Sequence, residues 1–231
     1  MRPEKTIGYL LIISAIGVIV PYTILTITFN YPDILREETG LILTKFHAGG
    51  SALIFTWLGF ALPGVPLLIA YQMMGQQLQK RMPFVKWVTT IGIISALVQM
   101  IGLLRWVFVI PVLSTQFVSA GDIATRQSIK VVFMAVHQFG GVLLGEHLGQ
   151  LFTVIWTIFI SVALLKVRFI PKWLAYLGYV ASFIYLLGQA ELFGTVIPHF
   201  PLIPIAGFLG STLWLIWLVI VGFMFLKKHD E

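Results

Sequence analysis

His137–Leu165, HQFGGVLLGEHLGQLFTVIWTIFISVALL, is an apolar run long enough to cross a bilayer that nevertheless carries ionisable side chains. About 20 mostly apolar residues span the hydrocarbon as a helix, and Phe139–Leu165 supplies them. The charges within it lie at one end. From Glu146 onward the polar side chains Gln150, Thr153, Thr157 and Ser161 recur at helical spacing, so they share one stripe that must face protein or water. An ionisable group in the hydrocarbon costs roughly 2.5–3.5 kcal/mol on insertion scales, so Glu146 and His147 require partners from elsewhere in the chain.

Composition agrees with that reading. At 58% hydrophobic and 10% charged residues, with a mean hydropathy of +0.96, the 231-residue chain lies far from the roughly 25% charge of an ordinary soluble domain. The net charge of +6 does not point to nucleic acid, because the basic residues form short clusters between apolar runs rather than a solvated face. The absence of cysteine excludes disulfides, thiolate chemistry and sulfur ligation of a metal by cysteine.

Working outward, apolar runs predict six spans at about 7–29, 51–71, 87–112, 139–165, 173–194 and 203–226, an all-α polytopic membrane bundle in one domain. The first run is too long for a signal peptide and lacks a small-residue cleavage site, so it is expected to be retained. Pro63 and Pro66 should kink the second span. Two mixed stretches, Asn30–Gly50 and Leu113–Val136, carry partial apolar faces and predict two short interfacial helices on the outer face. Alternate loops are rich in Lys and Arg, ten basic residues against four, which predicts a cell-membrane protein with both termini in the cytoplasm.

The loop anchors also give depths. Lys86 to Arg105 and Lys172 to Glu191 are each 19 residues apart and Glu146 to Lys166 is 20, so all three charges are expected about 28–30 Å above the cytoplasmic anchors. That layer falls just inside the outer boundary of a hydrocarbon about 30 Å thick. His47, His137 and His199 should lie at or beyond it. Arg105, Glu146, His147, Gln150, Glu191, His137 and His47 are therefore the candidate ligand-binding residues. For Arg105 two readings stand: the guanidinium snorkels to headgroups, or it pairs with Glu146 or Glu191. Glu146 and His147 are adjacent, diverge by about 100° on a helix, and should address different neighbours.

The segments YPDILREETG (31–40), FHAGG (46–50), GLLRWVFVIP (102–111), GEHLGQLFTVIWT (145–157) and IPKWLAYLGYV (170–180) resemble, over nearly the whole chain, an uncharacterised bacterial family of six-span membrane proteins, a domain of unknown function. The resemblance implies a fold and no chemistry. His137 and His147 are ten residues apart, unlike a metalloprotease pair, so no metal site is assigned. Phosphate-binding and nucleophile-elbow motifs are absent. Nothing in the sequence fixes a cofactor, an enzymatic activity or an oligomeric state. The charge confined to one half favours a site for a lipid-like amphipathic small molecule, with the bilayer as the other partner. A small-solute transporter and a scaffold with structural charges are the alternatives.

Overall fold

The placement of prolines, glycines and caps explains where the apolar runs begin, bend and stop. The computed structural model describes residues 3–227 and contains no strand among them. Ten α-helices follow in order: α1 Pro3–Phe29, α2 Thr39–Ala61, α3 Gly64–Leu78, α4 Val85–Phe108, α5 Ile110–Ser119, α6 Ile123–Val136, α7 Gly149–Lys166, α8 Lys172–Leu187, α9 Gln189–Gly194 and α10 Pro204–Lys227. A 3₁₀ turn, Asp33–Arg36, precedes α2, and a π-helical segment, His137–Leu148, joins α6 to α7. Together they form six helices long and apolar enough to cross a membrane: 3–29, 39–78, 85–119, 123–166, 172–194 and 204–227.

The second, third and fourth of these are longer than the sequence predicts. Ile123–Lys166 has 44 residues. At 1.5 Å per residue that is about 66 Å, over twice the hydrocarbon thickness, so part of it must stand clear of the apolar layer. The two stretches expected to form interfacial helices hold the Asp33–Arg36 turn and, within the longer runs, the part of α2 before Gly50, most of α5, and α6. Backbone breaks divide these longer runs: Gly50 is non-helical within α2, and Ala120 and Asp122 are extended between α5 and α6. Gly50 takes φ +55°, which a glycine tolerates, and α2 resumes beyond it. Asp122 caps α6, its carboxylate accepting from the Thr125 N–H at 2.8 Å, but the far end of α6 passes into the π segment without a stop. Pro111 sits in the first turn of α5, where its missing N–H costs nothing.

The six spans form a closed ring in chain order. α1 packs on α2 and α3, α3 on α4, α4 on α7, α7 on α8, α8 on α10, and α10 returns to α1. The start of α1 and the end of α10 share one face of the bundle, because a Cβ on Gly8 would come within 2.7 Å of the Gly222 carbonyl oxygen. Lys80, Arg81, Lys86, Lys166, Arg168 and Lys172 belong to the loops and helix ends of this same face; the further anchors Arg2 and Lys228 lie outside the described residues.

The core falls into two clusters. Near the terminal face, Trp156, Trp217, Tyr71, Leu11, Leu164, Leu174 and Phe225 fill the ring. At the opposite face Phe29, Phe46, Trp57, Trp106, Ile110, Phe117 and Phe133 build a cap from α1, α2, α4, α5 and α6, with Trp57 and Trp106 stacked at 4.7 Å. Glu38 ties the cap, accepting from the Leu41 N–H at 3.1 Å and pairing with Lys130 Nζ at 2.6 Å.

Glycine decides how closely α4 meets the π segment. A Cβ on Gly102 would lie 2.7 Å from the Gly145 Cα and 2.9 Å from the Gly140 carbonyl oxygen, both backbone atoms that cannot swing aside. Gly102→Ala should therefore lower the thermal midpoint of the purified protein, with an overpacking cost of about 1–3 kcal/mol. Gly59→Ala, where a Cβ meets nothing within 4 Å, is the control and should leave the midpoint nearly unchanged. Equal shifts for the two variants would refute the packing account.

Candidate functional site

Between the two apolar clusters lies a cavity of about 810 Å³, to which all six spans contribute. That volume is within the range of about 300–1,000 Å³ typical of small-molecule sites. Its end nearest the cap carries charge. Arg36 comes from the 3₁₀ turn, Arg105 from the last turn of α4, Glu146 from the π segment and Glu191 from α9. Its long flank is apolar: Val18, Ile19 and Ile27 of α1 face Phe208, Leu215, Ile216 and Val219 of α10.

Arg36 binds both carboxylates. Its Nε donates to Glu191 Oε1 at 3.0 Å and its Nη2 to Glu146 Oε2 at 3.2 Å. The two acids that matching depths placed in one layer are therefore brought together, but by an arginine outside the candidate set. Arg36 was missed because it sits in a loop between spans, where a basic residue reads as solvated. The available signal was its place in a loop of the basic-poor class, where a cation has no topological role.

Arg105 neither snorkels nor pairs. It is 7% exposed, and no described carboxylate oxygen lies within 4.0 Å of it. One Nη donates to the Gly102 carbonyl, Nε has no partner among the described residues, and the guanidinium carbon stands 5.2 Å from the Trp106 ring centroid. A Cβ on Gly141 would collide with the guanidinium, so the glycine there makes the room the arginine uses.

Amides and hydroxyls form the next layer. Gln189 Nε2 donates to Gln150 Oε1 at 2.6 Å, which leaves the Gln189 amide oxygen for His147 Nδ1 at 2.7 Å and makes that ring nitrogen the donor. Ser95 donates to the Gly149 carbonyl at 2.8 Å, while Gln99 Nε2 reaches Ser95 Oγ at 3.0 Å and Thr153 Oγ1 at 3.1 Å. Trp214 Nε1 donates to Thr157 Oγ1 at 2.9 Å, and Ser161 is fully buried beside Gly178.

Four candidates, Arg105, Glu146, Gln150 and Glu191, line the cavity; His47, His137 and His147 do not. Glu146 faces the cavity while His147 lines a separate apolar groove with Phe139, Leu143 and Phe193. His137 is buried and stacked on Phe133 at 5.4 Å, and His47 is exposed on α2. His199 sits in the exposed loop before α10. Among the described residues no three His, Asp or Glu side chains gather in a way that could hold a metal ion.

Fold and cavity together define a multi-pass helical membrane protein with a cavity between two packed cores that carries charged side chains at one end. The chain belongs to the family described as Domain of unknown function (DUF4386), whose model matches residues 6–222. No curated protein and no solved structure matches it.

The Arg36 pairs are partly exposed, at 31% for the arginine side chain against 21% for Glu146 and 41% for Glu191, so solvent screening limits each to roughly 0.2–1 kcal/mol. Double-mutant cycles with Arg36→Gln, Glu146→Gln and Glu191→Gln should give the larger coupling for the better shielded Arg36–Glu146 pair, with both couplings falling as salt is added. Zero coupling in both cycles would remove the triad from the site.

Proposed function

We propose that this protein binds a lipid-like amphipathic small molecule, with the polar head in the layer of Arg36, Arg105, Glu146 and Glu191 and the apolar part between α1 and α10. The observation that carries the reading is the cavity itself, charged at one end and apolar along the rest. A purely structural ion pair requires no adjoining space, whereas this triad borders a cavity of about 810 Å³. The cavity reaches the protein surface through lining residues such as Ile27, 79% exposed, and Phe208, 56% exposed.

The lining of α10 extends from Pro204 to Ile220, roughly 24 Å at 1.5 Å per residue. That exceeds one leaflet of a hydrocarbon about 30 Å thick, a length suited to a hydrocarbon chain. A transmembrane path for a small solute is less well supported, because Thr153 and Thr157 of the polar stripe are engaged in contacts between helices and Ser161 is buried in the ring.

In this reading the termini lie in the cytoplasm of a cell-membrane protein, the cap and the charged layer lie toward the outer face, and the Asp33–Arg36 turn with α5 and α6 marks the outer interface. The chain has no cysteine, so single-cysteine labelling is clean. Gly121→Cys should react with an impermeant maleimide on intact cells and Lys172→Cys only after permeabilisation; the reverse pattern would invert the topology. For the binding site, Gly207→Trp fills the cavity from a position whose Cβ meets nothing within 4 Å. Native mass spectrometry should then show at least tenfold less retained lipid than in the parent protein. Unchanged retention would dismiss the cavity as the binding site.

A further inference from the structure

The charges around the cavity are arranged asymmetrically. Arg36 with Glu146 and Glu191 forms a triad of net charge −1, and Arg36 uses only one oxygen of each acid, leaving Glu146 Oε1 and Glu191 Oε2 without a protein donor among the described residues. Arg105 is a separate +1, more than nine-tenths buried, lining the same cavity, with its Nε unpartnered. A desolvated guanidinium without a carboxylate within hydrogen-bond reach is costly unless an anion or equivalent acceptor arrives. Free carboxylate oxygens at the edge of an apolar cavity similarly favour a donor cation.

The formal charges of the four side chains sum to zero. An anionic ligand would leave this low-dielectric space at −1 and a cationic one at +1, whereas a ligand that carries both charges satisfies Arg105 and the free carboxylate oxygens together and keeps the sum at zero. Tyr31 and Tyr185 border the same cavity, and their hydroxyls form no hydrogen bond with the described residues, so they remain available to a head group.

We propose that the ligand is a zwitterionic amphipath whose anionic group, a phosphate or carboxylate, sits on Arg105 and whose ammonium group meets the free oxygens of Glu146 and Glu191, its chain lying in the α1–α10 cleft. This rests on the amphipath-binding reading above and assigns the chemistry of the head. The chain enters sideways: above the Gly8–Gly222 contact the cavity is walled by α1 from Ser14 to Ile27 and by α10 from Pro204 to Ile220, including the exposed Ile19 and Ile216.

The test is competitive exchange in native mass spectrometry of the full chain, using two lipids with identical acyl chains, one with a phosphoethanolamine head and one with a phosphoglycerol head. The parent protein should retain the zwitterionic lipid at least tenfold over the anionic one. Arg105→Gln should lose at least tenfold of that retention. Glu191→Gln changes the sum of charges to +1 and should turn the preference toward the phosphoglycerol lipid; its side chain is 41% exposed, so this variant keeps the test open if Arg105→Gln fails to fold. Equal retention of the two heads by the parent, or an unchanged preference in Glu191→Gln, overturns the zwitterion assignment while leaving lipid binding in place. No retained lipid of either kind overturns the amphipath reading itself. Soluble phosphoethanolamine retained as tightly as the lipid overturns the role of the cleft.

Discussion

The geometry of the charged layer depends on how the Arg105 guanidinium is accommodated. A guanidinium in a low-dielectric interior must be given acceptors, aromatic faces or counter-ions, and room for a planar fork of five donors. The Gly102 carbonyl and the Trp106 face, both on the arginine's own helix, supply two partial satisfactions, Gly141 supplies the room, and the Gly102–Gly145 approach sets how closely the π segment covers the guanidinium. Glu146 lies on that same segment, so the packing that shelters the arginine also sets the carboxylate that Arg36 binds. The site and the helix packing are one arrangement.

The spans were legible because uninterrupted apolarity has one physical explanation at this length. Their ends were not. A helix terminates when a cap, a proline or a glycine offers the backbone something better; Gly50 kinks α2, which then resumes, and Val136 runs into His137 without a break. Rise per residue is nearly fixed once the anchors are known, so matching depths put Glu146 and Glu191 in one layer. Depth could not find Arg36, since a loop residue has no helical ruler to set its height, and it could not set the direction of Arg105, which depends on the space left by a glycine 36 positions away in the chain. The histidines were grouped by depth alone, and depth does not say which side of a helix faces a cavity.

The polar stripe after Glu146 shows how the same residues read differently once neighbours are known. On one helix it resembles a pathway. In the ring, Thr153 meets Ser95 at 2.7 Å, Thr157 takes the Trp214 N–H, and Trp156 and Trp217 pack edge to face at 6.0 Å below the cavity. Hydroxyls there satisfy indoles and backbone carbonyls between helices, the usual work of small polar groups in membrane bundles. The polar character therefore ends in a packed floor.

That floor leaves the flank as the route between cavity and surroundings, and the topology says which flank. Each pair of neighbouring spans in the ring is joined by a connecting segment except α1 and α10, the first and last, which meet only by packing. A seam without a covalent link can widen without stretching a loop. Its contacts concentrate toward the terminal face, where Gly8 and Gly222 bring the backbones together and Leu226 closes over Gly8. Beyond that point the two helices lean on different partners: α1 on Pro63 through Gly17, and α10 on Tyr185 through Gly210. A chain-bearing molecule sliding in from the membrane would separate two helices already held apart by their own neighbours, so the opening follows from the order in which the ring is closed.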